Sequence, residues 1–162
     1  MKETKNNKAA KTAGKVTIKV AYAVDAFRLL SQQNEQGKQG FKLSGLETED
    51  IFKVLFAIKA LKPIAVELVE FEKDVRKQFE PEDWNERKSK FDEMSNEEQA
   101  AMNREFLKIE GKVRECLTKE REKEKEIEGY ERLDKETFAK LIKSNEHIED
   151  SAVNMLLMEV LM

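Results

Sequence analysis

Few residues in this chain could carry chemistry. It holds one cysteine, Cys116, and one histidine, His147, among 162 residues. A lone cysteine excludes an internal disulfide and any zinc site built from several thiolates, and it fits a reducing compartment. Cys116 and His147 fall on different expected segments, and no local motif joins them as nucleophile and base. His147 stands near Glu146, Glu149 and Asp150, but one imidazole beside carboxylates in a charge-rich helix start reads as a solvated cap region. The expectation is therefore no catalytic residue, no metal ligand and no cofactor. Glycine is scarce, and Gly37, Gly40 and Gly45 lack the lysine and following Ser or Thr of a phosphate loop. Aromatic residues make up only 7% of the chain, which speaks against a large pocket. No apolar run is long enough to span a bilayer, and Met1 to Lys15 lacks the apolar core of a signal peptide. A cytoplasmic protein with no membrane contact is expected.

What the chain has in abundance is charge, 39% of residues, nearly balanced at a net -3. That balance does not suit a surface devoted wholly to nucleic acid. Through this charge run two apolar stripes separated by Pro63. Ile51, Val54, Leu55, Ile58 and Leu61 precede it, and Ile64, Leu68, Phe71, Val75 and Phe79 follow, at helical spacing on both sides. Thr48 is placed to cap the first stripe, with Glu49 and Asp50 in the favourable first turn. Proline cannot donate an interior helical hydrogen bond, so a break or sharp kink is expected after about Ala60, with Pro63 opening a second helix.

Beyond Pro81, a short helix or ordered connection to Met94 carries the single tryptophan, Trp84. It reads as a packing residue, with a partner surface as the alternative. Ser95 and Glu98 form a capping box, and Met102, Phe106, Ile109, Val113 and Cys116 or Leu117 continue as a long helix expected to pack antiparallel on Pro63 to Phe79. From Lys119 to Glu128 opposite charges nearly alternate, as in a solvated helix end or charged connector that Gly129 terminates. Asp134 then caps a helix over 135–143 with Phe138, Leu141 and Ile142 inward, and Asp150 or Ser151 caps a last one. That last segment is apolar almost all round, so it is either terminal core or an interface. In the interface reading Met155, Met158 and Leu161, with Trp84, would meet a protein partner or a second copy.

At the other end, Val16, Ile18 and Val20 alternate with polar residues before Val24, Phe27 and Leu30 take up helical spacing, so a short strand leading into a helix is expected, an uninterrupted helix being the alternative. Ser31 to Ser44 reads as a loop. Residues 1–15 carry Lys2, Lys5, Lys8, Lys11 and Lys15 with little apolar content, as in a mobile basic tail that either solubilises the chain or contacts nucleic acid or another anion. Residues 16–162 then form the folded domain.

From Thr48 onward, the order of features resembles a family of small helical proteins encoded by phages and prophages. It comprises a short amphipathic helix, the break at Leu61, Lys62 and Pro63, and the run Ile64 to Phe79 with Val66, Leu68, Glu70, Phe71, Glu72 and Arg76. A charged helix and the late segment Ile127 to Leu161 complete it. Met1 to Gly45 departs from that pattern. The resemblance implies a helical fold and transfers no functional residue. The reading as a whole is a mainly all-α bundle of about five or six helices around an antiparallel hairpin. Its expected role is a non-enzymatic interaction or assembly protein, such as a phage accessory, with a nucleic-acid-associated regulator using the basic tail as the alternative.

Overall fold

The computed structural model describes residues 14–31, 41–148 and 150–162. Strand β1 (Val16–Lys19) leads directly into α1 (Val20–Ser31), so the change of period near Val20 marks a real change of structure. The long α2 (Thr48–Phe79) follows, then the short α3 (Trp84–Ser89), a 3-10 turn at Phe91–Glu93, and α4 (Asn96–Arg121). Strand β2 (Glu124–Ile127), α5 (Lys135–Ser144) and α6 (Ser151–Leu161) complete the chain. The described residues thus form a mainly helical bundle with one two-stranded antiparallel ribbon. The expectation of a mobile tail and the greater part of the Ser31 to Ser44 loop fall on residues outside those described.

The expected break at Pro63 is corrected: α2 runs through it as one helix of 32 residues, about 48 Å long at 1.5 Å per residue. Pro63 and Lys59 are both exposed, so the Lys59 carbonyl that loses its intrahelical donor faces water. On the opposite side Leu61, Ile64, Ala65 and Leu68 are buried on both flanks of the proline, and that packing carries the helix through the defect without a break. Thr48 is also corrected from cap to first helical residue, because the Glu47 carbonyl already accepts the Ile51 N–H at 3.0 Å.

The antiparallel hairpin is present. Arg76 on α2 donates to Glu110 on α4 at 2.5 Å, and further along Lys125 just past α4 pairs with Glu67 nearer the start of α2, so the two elements run in opposite senses. The Glu110 hydrogen bond raises the Arg76 pKa, and the same bond pulls the Glu110 carboxyl below its ordinary value, so both stay charged at the seam. The Ser95–Glu98 capping box forms, and the Asp134 carboxylate accepts the Thr137 N–H at 2.9 Å. Asp150, rather than Ser151, caps α6 by accepting the Ala152 N–H.

The charged connector expected after Lys119 is corrected in part. It contains β2, whose Glu124 and Glu126 stand opposite Lys19 and Thr17 of β1, with Lys15 reaching Glu126 at 2.5 Å. An acidic strand facing a basic one supplies the cross-strand attraction that a connector of mixed charge does not suggest when read alone. Ile18 and Ile127 turn their side chains into the core.

Packing centres on two apolar clusters that share Phe71 and Leu117. The larger one gathers α1, the first two-thirds of α2, α5 and α6, and its broadest helix contact is α1 on α2. The smaller one closes the far end of the hairpin around Trp84, Val75, Met102, Ile109 and Val113. Two polar staples finish the larger cluster. Buried Asn145 accepts the Lys42 N–H at 2.7 Å and donates to the carbonyls of Lys42 and Leu141, both at 2.8 Å, binding 41–46 to the end of α5. Gly45 lies against Ser144 there, so close that a Cβ would meet the Ser144 hydroxyl. The Tyr130 hydroxyl donates to the Val160 carbonyl, and the Leu133 N–H to that of Leu161, both at 2.7 Å, so two of the otherwise orphaned C-terminal carbonyls of α6 are satisfied.

Candidate functional site

Because α2 is continuous, side chains that a break would have scattered fall on one line. Phe52, Phe56, Lys59, Pro63, Val66, Glu70, Lys73 and Lys77 recur at spacings of three and four, the spacing that returns to one side of a helix. This line lies opposite the buried Val54, Ala57, Leu61, Ile64 and Leu68. Phe52 is 54% exposed, Phe56 58% and Val66 50%, with Leu55 and Val69 exposed along one flank. Scattered single apolar residues are ordinary on a protein surface, but several on one helix face opposite its core are not. Leu55, assigned by its spacing to the core stripe, belongs instead to this outward face, and Phe106 of α4 is likewise exposed rather than buried.

Charge is segregated along the same face. Lys59 lies on the N-terminal side of its centre and Glu70 on the C-terminal side, with Lys73 and Lys77 beyond, while Lys62 and Glu67 stand on opposite flanks of the helix and Glu67 is paired with Lys125. Among the described residues neither Lys59 nor Lys62 has a carboxylate partner. Glu70 pairs with Lys73 at 2.7 Å, and Lys77 with Asp74 at 3.5 Å. Such exposed pairs within a helix contribute little and exchange easily.

The residues singled out from the sequence are divided by the fold. Trp84 and Leu161 are each 2% exposed and are committed to the two clusters, so neither presents a face to a partner. The Trp84 ring is covered by the Arg87 guanidinium at 5.2 Å, which is itself held by Glu105 at 2.5 Å. Met155 and Met158 do reach the surface of α6, at 64% and 46% exposure, while Leu157 and Val160 of the same helix are buried. An apolar helix that is neither wholly core nor wholly interface is the result. Lys15 is exposed and paired with Glu126, while Lys2, Lys5, Lys8 and Lys11 lie outside the described residues.

Other features offer less. Cys116 is half-buried at the edge of the smaller cluster, and His147 is exposed in the turn after α5. Among the described residues no three His, Cys, Asp or Glu side chains converge to hold a metal ion, and no helix is long and apolar enough to cross a membrane. A shallow recess of about 280 Å³ between the starts of α1 and the end of α4 is lined by Lys19, Tyr22, Thr118, Arg121 and Glu122. Its cations are engaged: Lys19 lies over the Tyr22 ring at 5.8 Å, and Arg121 bonds Asp25 at 2.6 Å. Comparison with family models, with curated proteins and with solved structures found no match.

Proposed function

We propose that this chain is a non-enzymatic interaction or assembly protein whose working surface is the outward face of α2. The observation that carries this reading is the exposed pair Phe52 and Phe56 on the side of α2 opposite its core. Apolar area in water is unfavourable by about 25 cal/mol per Å², and aromatic side chains held on a rigid helix lose little entropy on docking. Aromatic anchors framed by charge are what protein interfaces concentrate at their energetic centres. Met155 and Met158 on α6 provide a second, adaptable apolar spot.

A photo-crosslinking side chain placed at position 56, compared with one at exposed Asn103 on α4, tests the reading in the cell that makes the protein. Position 56 is expected to yield discrete protein adducts, and position 103 none. Equal or absent labelling at both sites would remove the outward face of α2 as a working surface.

A further inference from the structure

The order of groups along the outward face of α2 has a symmetry that names an occupant. From the N-terminal end it reads aromatic at Phe52 and Phe56, basic at Lys59, apolar at Pro63 and Val66, acidic at Glu70, then basic at Lys73 and Lys77. Turned end for end about a point between Ile64 and Ala65, this series is complementary to itself. Pro63 meets Val66 of the second copy, Lys59 meets Glu70, and Phe52 and Phe56 meet Lys77 and Lys73. Each opposition then occurs twice, as an isologous two-fold contact requires.

We infer that the outward face of α2 pairs antiparallel with the same face of a second copy of this chain. This rests on the proposed function and specifies its partner. The centre is apolar, the next layer places opposite charges together, and the outermost layer sets lysine stems and ammonium groups over phenyl rings, an attractive arrangement for a cation on an aromatic face. A parallel pairing lacks this match, because it sets Lys59 against Lys59 and Glu70 against Glu70. The strip from Phe52 to Lys77 is about 38 Å long and only one helix wide, so the contact is small and partly polar. Association is accordingly reversible, and it weakens as salt rises.

Light scattering coupled to size exclusion, over a concentration series at low salt, reads the result. The unaltered chain is expected to move toward twice its monomer mass as concentration rises. Reversing one charge, in Lys59→Glu, or the other, in Glu70→Lys, is expected to weaken self-association at least about tenfold. An equimolar mixture of the two variants is expected to recover the dimer, since every reversed charge then faces its opposite. Both positions are exposed, and circular dichroism checks that each variant folds. Val66→Glu, which puts a carboxylate beside the two-fold axis, gives the same loss without touching Lys59 or Glu70. A monomer at every concentration would overturn the inference, and so would dimers unaffected by either reversal or a mixture that stays monomeric. A monomeric chain that still crosslinks other proteins from position 56 would overturn self-pairing and leave the proposed function standing.

Discussion

Trp84→Ala is expected to cost about 3 to 5 kcal/mol, the range for removing a large buried aromatic side chain. A domain of this kind is stabilised by only about 5 to 15 kcal/mol in total, so the change takes a large share of it. The indole fills the end of the hairpin between Val75, Met102 and Ile109, and no neighbouring element can swing in to occupy the space, since α3 spans only six residues and is held by Arg87 to Glu105. The loss is expected to be uneven. Amides in 84–110 should exchange hydrogen faster than those of α1, because the larger cluster around Leu61 and Leu141 keeps its own contacts. Urea unfolding followed by circular dichroism measures the total. Fluorescence does not serve for this variant, since Trp84 is the only tryptophan. Trp84→Phe should retain most of the stability, and an alanine variant as stable as the parent would show that the smaller cluster is not packed as described.

Pro63→Ala is expected to stabilise the chain, which is unusual for a substitution in the middle of a long helix. Interior proline is about 3 kcal/mol less favourable than alanine, and about 1 kcal/mol of that is offset because proline also restricts the unfolded chain. A gain of about 2 kcal/mol follows, read as a higher urea midpoint with an unchanged slope. Nothing in the core opposes it: Pro63 is exposed, and the restored N–H would meet the Lys59 carbonyl. A loss of stability would mean that the ring has a packing role. If self-pairing operates, the same variant also loses the pyrrolidine facing Val66 of the second copy, so stability and association should move in opposite directions.

Proline also explains why the surface was harder to find than the fold. The core positions Val54, Leu61, Ile64, Leu68 and Val75 are legible from periodicity on either side of residue 63 whether or not the helix is broken, because each half has its own stripe. The outward line exists only in an unbroken helix: cut at Ala60, Phe52 and Phe56 lose their relation to Val66 and Glu70. The rule that proline ends helices is local. It was overridden by apolar burial on both flanks and by the exposure of the one carbonyl the proline leaves unpaired. Periodicity likewise puts Leu55 in the core stripe and passes over Ala57 and Ala65, since alanine is a weak apolar signal although both are buried. Strand β2 was hidden for a different reason. Glu124 to Ile127 has little strand propensity of its own, and its pairing depends on β1 more than a hundred residues earlier. The caps at Ser95 and Asp134 were legible because they are contained within four residues.

The claim that matters most is that the outward face of α2 belongs to a partner and not to the chain's own interior. The urea midpoint of Phe52→Ser with Phe56→Ser, measured on dilute protein, tests it directly. Serine and phenylalanine have similar helix propensities, and each ring is more than half exposed, so a loss of at most about 1 kcal/mol per site is predicted. A loss on the scale of Trp84→Ala would contradict the account, because it would place both rings in the core.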